Sequence, residues 1–473
     1  VSPKRPINAD VPASEEKAKP VTAETAADKQ ETGELPKVEP QAPKEPASAP
    51  EQPQKEQPPP ARRPKPLAPK LLVALAALAV VIIVVAIVGS GGGKDEDASE
   101  GTAAPAAAAG ESDSGRGSSS QTPEALGYPS FATNNTTRIG GSDPAANAAA
   151  VALAVFPSAA PAQRPSAVTL VNEEDWAGAI AASVLMAEPV RAPLLFSTPE
   201  DLPEASEEAL AALDPQGSKA TGGASLFAIG SVSLPGGAGE VTRVDSGEPA
   251  ATAAQIATLR DRLFGRPPAH ILVASSSSPD FAMPAAAWAA RSGDPVLYAE
   301  ADKLPAATAQ VLKQHPKTPV YVLGPTAAIS KDVFGEIEKL AKSVKRVAGK
   351  DPAANALALA RFHSGSFGWN VNDPGHGFVL ARSDSPADAA AAAPLSASGT
   401  WGPLLLTEDA GTLPDVVHSY FLDVKPGYTT DPTRAFYNHV WLIGDQDAIG
   451  LEQQAEVDEL AELAKIGSES GKP

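Results

Sequence analysis

Arg138-Ile-Gly-Gly-Ser-Asp-Pro-Ala-Ala-Asn-Ala148 is matched later in the chain by Arg346-Val-Ala-Gly-Lys-Asp-Pro-Ala-Ala-Asn-Ala356. Between them stands Arg243-Val-Asp-Ser-Gly-Glu-Pro-Ala-Ala-Thr-Ala253. The copies start about a hundred residues apart, and such even self-similarity marks a repeat architecture. Each copy has a local logic. An acidic residue (Asp143, Glu248, Asp351) precedes a proline (Pro144, Pro249, Pro352) and an alanine-rich run. A carboxylate there accepts the exposed amides of a helix start, and proline at the first helical position has no amide to leave unpaired. These acids therefore read as helix caps rather than catalysts.

Outward from that stretch the same signals recur in the same order. Short apolar runs at Val168–Val171, Ile271–Ala274 and Phe378–Ala381 read as first strands, each followed by a polar loop and a second alanine-rich helix. Second strands lie at 192–196, 294–298 and 402–406, followed by Leu-Pro helix starts at Leu202-Pro203, Leu304-Pro305 and Leu413-Pro414. Third strands end in glycine at Gly230, Gly324 and Gly444. Continuously apolar strands alternating with helices predict parallel sheets covered on both faces. Closing helices are expected at 333–343 and 453–465, whereas the first repeat runs from Gly230 through Pro235, Gly236 and Gly237 straight to Val241.

These features resemble the type 2 cell-wall-binding repeat family of Gram-positive surface proteins. The shared pattern is R-[I/V]-x-G-x-D, a Pro-led apolar strand, a Leu-Pro helix start and a closing strand such as Val320 to Ser330. The resemblance covers 137–466. It implies an α/β fold of three similar parallel-sheet subdomains in a pseudo-threefold arrangement, with repeats at 137–240, 241–343 and 344–466. It also implies non-covalent attachment to a cell-wall glycan or anionic wall polymer. Where the family has an F-x-D-A-L turn, this chain reads Trp176-Ala177-Gly178-Ala179, Phe281-Ala282-Met283-Pro284 and Pro386-Ala387-Asp388-Ala389, so the third repeat alone keeps the acid.

The remainder of the chain is organised by composition. Residues 1–70 are Pro-, Ala-, Glu- and Lys-rich with little to bury, which predicts a disordered leader. Leu71 to Val88 is unbroken Leu, Val, Ala and Ile. At roughly 1.5 Å rise per residue it spans about 27 Å, close to the bilayer core, so 71–89 is expected to be a transmembrane helix. Arg62, Arg63, Lys65 and Lys70 precede it, while Asp95, Glu96 and Asp97 follow. The positive-inside rule then puts the N-terminus in the cytoplasm and the repeats on the outer, cell-wall side of a single-pass membrane protein. Residues 90–136, rich in Gly, Ser and Ala, read as an extracytoplasmic linker, and 467–473 as a tail.

Several function classes lose support from the sequence itself. A net charge of −19 opposes general attraction to nucleic acid. Cysteine is absent, which removes disulfides and thiolate metal sites. The six histidines show no paired metal-ligand spacing, no G-x-S-x-G elbow occurs, and G-x-G-x-x-G is not completed. Neither a metal nor a cofactor is expected, and the chain reads as a non-enzyme. Candidate ligand contacts sit in strand-to-helix loops, where hydroxyls and helix amides can hold sugar or phosphate oxygens. They are Ser275, Ser276, Ser277, Ser278 and Asp280 in one loop, with Asp175, Arg382 and Asp388 in the equivalent ones. A capping loop explains the same residues. Lys339, Lys342 and Lys345, spaced by three and followed by Arg346, form a candidate basic helical face for a wall phosphate, or simply a solvated face. Two functions lead, a membrane-anchored wall-binding scaffold or a module for another envelope protein that has lost wall affinity; an envelope hydrolase on the α/β scaffold is the weakest third, since no separate foldable segment is left to carry an enzyme.

Overall fold

Parallel pairing of neighbouring repeats, rather than of strands within one repeat, closes each sheet. The computed structural model describes residues 132–245, 247–398 and 402–466. The expected leader, the apolar run at 71–89, most of the linker and the tail lie outside the described residues. Among the described residues no helix is long and apolar enough to cross a membrane.

The strands in chain order begin with β1 (Thr136–Ile139), β2 (Val168–Asn172), β3 (Leu194–Ser197), β4 (Leu226–Ile229) and β5 (Val241–Val244). Next come β6 (Ile271–Ser275), β7 (Val296–Ala299), β8 (Val320–Leu323) and β9 (Val344–Val347). The last are β10 (Gly377–Arg382), β11 (Leu404–Thr407), β12 (Gly427–Tyr428), β13 (His439–Ile443) and β14 (Ala464–Lys465). Three four-stranded sheets result, with orders β3-β2-β4-β5, β7-β6-β8-β9 and β11-β10-β13-β1, and β12 pairs separately with β14. Every pair in the three large sheets is parallel. The expected first, second and third strands all form, and the α/β class with parallel sheets is as expected.

The strand bearing the repeat arginine is the exception to a repeat-by-repeat layout. β5 opens the second sequence repeat yet edges the first sheet, and β9 opens the third yet edges the second. β1 completes the cycle by pairing with β13, Thr136 beside Val440 and Ile139 beside Ile443. The helices that follow these strands, Pro144–Val155, Pro249–Phe264 and Pro352–Arg361, pack instead on β3, β7 and β11 of the next sheet. The D-P-A-A-N stretch is thus the crossing point from one sheet to the next.

Two-sided burial explains the unbroken apolar strands. In the third sheet Val379, Ala381, Leu404, Leu406 and Ile443 face the central core, while Phe378, Leu380, Leu405, Val440 and Leu442 face an outer one. That alternation is the period of two expected of a strand. At the centre the helices Trp176–Ala182, Pro284–Ser292 and Pro386–Ala397 pack on one another, the first through its 3-10 continuation Ser183–Met186 as well. Ala179, Ala286, Ala289 and Ala390 are wholly buried there, and small side chains let the helices approach closely. Among the described residues no helix lies between β4 and β5, as the glycine-rich stretch predicts.

Candidate functional site

The carboxyl ends of the three sheets gather the residues that the sequence nominates, but they gather them separately. At the third sheet the loops after β1, β10 and β13 enclose a pocket of about 310 Å³ lined by Asp143, Asn147, Arg382, Asp388, Asp445 and Asp447, among others. Asp143 caps its helix by accepting from Ala146 N at 2.9 Å. Asn147 joins two repeats: its Oδ1 accepts from Gly141 N at 2.8 Å, and its Nδ2 donates to Asp388 Oδ1 at 2.8 Å. Asp388 is buried, and that burial raises its pKa against the lowering effect of its Ser385 and Asn147 hydrogen bonds. Arg382 is turned onto Asp384, with contacts of 3.0 Å from Nε and 2.5 Å from Nη2. The pair stabilises both charges, raising the arginine pKa and lowering that of Asp384. With its one arginine already paired among several carboxylates, this pocket is poorly suited to an anionic ligand.

The equivalent loops do structural work. Ser275 is buried, and its Oγ accepts from Ser277 N at 3.2 Å. Ser276 Oγ donates to Ala299 O at 3.2 Å, and Asp280 accepts from Phe281 N at 3.0 Å. Ser278 is the N-cap residue of the short helix Pro279–Ala282, without a side-chain cap bond. Asp175 caps the helix Trp176–Ala182, accepting from Gly178 N at 2.7 Å, and burial raises its pKa. The structure brings Arg382 and Asp388 into one pocket; it leaves Ser275–Ser278 and Asp280 on the second sheet and Asp175 on the first.

The basic residues do not form the expected helical face. The helix Lys331–Glu338 stops before Lys339, because β9 must start at Val344 to pair with β8. Lys342 falls in the bend between them, and Lys345 and Arg346 are successive strand residues, which point to opposite faces. Lys345 Nζ donates to Ser364 Oγ at 2.7 Å. Arg346 turns inward, donating to Gly324 O at 2.8 Å, Pro325 O at 3.2 Å and Ser330 O at 3.3 Å, and its guanidinium lies 5.1 Å from the Phe334 ring. Burial lowers its pKa.

Arg138 repeats that arrangement more completely. It is 2% exposed and donates to Gly444 O at 3.1 Å, Asp445 O and Ile449 O at 2.5 Å each, and Gln454 Oε1 at 2.9 Å. Arg138 and Arg346 therefore tie their edge strands to the loop and helix start that close the sheet they edge. The sequence displays this arginine in all three copies, but its partners lie about three hundred residues away for Arg138.

The amino ends of the second and third sheets hold features with no advance signal. A cleft of about 680 Å³ is lined by His376, Leu395, Ser398, Tyr437, His439 and Trp441, with smaller residues between them. His376 also lines an adjoining cleft of about 460 Å³ with His270, Trp288, Asp294, Ser366 and Trp369. There Ser366 Oγ is 3.1 Å from His270 Nε2, and His270 Nδ1 is 2.9 Å from Asp294 Oδ2. Asp294 also accepts from Trp288 Nε1 at 3.0 Å and from His270 N at 2.9 Å. A carboxylate only accepts, so Nδ1 carries a proton, and in the neutral ring Nε2 accepts from the serine hydroxyl. That is the bonding order of a Ser-His-Asp triad. Its visible role is to seat the loop 362–371 on the second sheet, where Phe367 stacks on Tyr321 with ring centroids 3.5 Å apart.

Comparison with known proteins agrees with this architecture. The Cell wall binding domain 2 (CWB2) family model matches residues 243–334 and 346–453. The N-acetylmuramoyl-L-alanine amidase LytC of Bacillus subtilis (strain 168) is 31% identical over 121 residues, 26% of this chain and 24% of the amidase. Among solved structures, Cwp6 from Clostridium difficile matches with a TM-score of 0.56 and 22% identity, over 69% of this chain and 48% of that one. Cwp8 from the same organism matches with a TM-score of 0.52 and 19% identity, over 70% and 52%. The chain spans about half the length of these two structures and about a quarter of the amidase, and the structural likeness is one of fold. Through residues 243–334 and 346–453 this chain carries repeats of the Cell wall binding domain 2 (CWB2) family.

Proposed function

We propose that the three-sheet module binds cell-wall polymer non-covalently, as a non-catalytic scaffold on the outer side of a membrane that residues 71–89 cross once. The observation that carries this reading is the family match over the second and third repeats, the two with a complete closing helix and, at their shared junction, a fastened Arg346. The membrane part rests on the apolar run Leu71 to Val88 and on the cations at Arg62, Arg63, Lys65 and Lys70 before it. The test is to mix the full chain with isolated cell walls and pellet them. Co-sedimentation at low salt supports the reading, and a chain that stays in the supernatant sinks it.

A second reading makes the module a platform for another envelope protein, with wall affinity lost. The acidic pocket at the carboxyl end of the third sheet favours it, since carboxylates around a paired arginine repel a polyanion. It predicts a specific co-purifying protein and no sedimentation with walls.

A further inference from the structure

Three residues before the glycine that ends each third strand stands an aromatic side chain: Phe227, Tyr321 and Trp441. Phe227 is wholly buried and Tyr321 is 5% exposed. Tyr321 is sealed by the loop after the helix Pro352–Arg361, with Phe367 stacked on it and Phe362 edge-on at 5.8 Å. The corresponding segment for the third sheet follows the helix Pro144–Val155. It turns away instead, burying Phe156 with the Arg191 guanidinium 5.2 Å from its ring. Trp441 is left partly exposed on the wall of the 680 Å³ cleft.

The cleft around Trp441 has the chemistry of a sugar site. Tyr437 is 56% exposed on the same wall. His439 sits edge-on to Trp441 at 5.5 Å, and its Nε2 is 3.0 Å from Thr137 Oγ1 on β1. The cleft is therefore completed by the strand that closes the cycle. No Lys, Arg, Asp or Glu lines it among the described residues, and burial lowers the pKa of His439, which favours its neutral form. Pyranose rings present C–H faces of weak positive charge, which suit the negative face of an aromatic ring, and hydroxyls that suit imidazole and serine. The adjoining cleft beyond His376 adds Trp288 and Trp369, at right angles with centroids 5.5 Å apart; Arg291 and Asp294 also line it, Asp294 bonded to His270 and Trp288. Two aromatic clefts sharing one wall fit a chain of sugars better than a single ring.

Resting on the wall-binding reading and deepening it, we infer that these two clefts form a trough for a neutral glycan strand, with Trp441 and Tyr437 as stacking platforms. The acidic pocket at the opposite end of the third sheet takes no part. The probe is the β-1,4-linked tetramer of N-acetylglucosamine, titrated into the full chain in detergent micelles and followed by tryptophan fluorescence and calorimetry. Poly(glycerol phosphate) is the anionic comparison. The tetramer is expected to bind. Tyr437→Ala and Trp441→Leu each weaken it about tenfold with the melting temperature of Tyr437→Ala unchanged, and Asp447→Asn leaves it unaltered. Equal affinity in wild type and both variants, or binding of poly(glycerol phosphate) alone, overturns the trough. If the wild-type chain pellets with walls but ignores the tetramer, the trough fails and the wall-binding reading stands. If it takes the tetramer through Tyr437 and Trp441 but does not pellet, the trough stands and that reading fails.

Discussion

The strands carrying Arg138 and Arg243 begin with the same motif and end in opposite circumstances. Arg138 is enclosed by the Gly444–Gln454 loop and helix start and satisfies four acceptors there. Arg243 is exposed, because the first repeat has neither the loop nor the helix that would receive it. The helix starts differ in the same sense. Asn147 bridges Gly141 and Asp388, and Asn355 bridges Gly349 N at 3.2 Å and Phe281 O at 3.1 Å. Thr252 replaces that asparagine between them, and its buried Oγ1 has no partner. Glu248, one carbon longer than Asp143, makes no side-chain cap bond. A motif residue thus keeps its job only where the neighbouring repeat supplies the other half of the contact.

The largest expected effect tests that contrast directly. Arg138→Ala strands four acceptors, three of them in buried bonds, and costs about 3–5 kcal/mol, whereas Arg243→Ala costs less than about 0.5 kcal/mol. Urea unfolding of the two variants side by side decides it, and equal losses would break the comparison. At the helix starts, Asn147→Ala leaves Gly141 N and Asp388 Oδ1 without their partner and costs about 2 kcal/mol. Thr252→Val moves the other way, gaining up to about 1 kcal/mol by removing an unpaired buried hydroxyl. A destabilised valine variant would mean that Thr252 has a partner after all.

Asp388 gives a smaller, pH-dependent version. Burial raises its folded pKa, so its ionised form is a liability that is fully present above that pKa. The liability fades as pH falls from the folded pKa towards the unfolded one. Asp388→Asn, which can still accept from Asn147, should therefore be more stable than wild type at neutral pH, with the gain shrinking on acidification. Melting temperatures across that range check the sign; a gain that grows on acidification would reverse the assignment. The smallest effect is expected at Ser366. Ser366→Ala loses one partly exposed hydrogen bond, worth about 1 kcal/mol or less, and loosens the loop that covers Tyr321. A serine-directed fluorophosphonate should leave wild-type Ser366 unmodified; labelling there would make the Ser366–His270–Asp294 order a working nucleophile and end the non-catalytic reading.

Most of the α/β layout was legible because strands buried on both faces leave unbroken apolar runs such as Val320 to Leu323, and each is punctuated by proline or glycine. The caps at Asp143 and Asp351 were legible for a similar reason, since their partners Ala146 and Ala354 lie three residues away. The destination of the arginine strand was not, because β1 finds β13 about three hundred residues later and nothing local encodes that pairing. The basic face failed for want of tertiary context: spacing by three presumes a helix, and β9 claims Lys345 and Arg346 for a sheet. The aromatic trough was hidden for the same reason, with Val155, His376 and Trp441 meeting only after the sheets are closed.

Co-sedimentation of the full chain with isolated cell walls, followed from low to high salt, tests the central claim most directly. The wall-binding reading predicts that the chain pellets, and a trough that takes a neutral glycan predicts that most of it still pellets as salt rises. A chain that stays in the supernatant at every salt concentration would contradict wall binding itself.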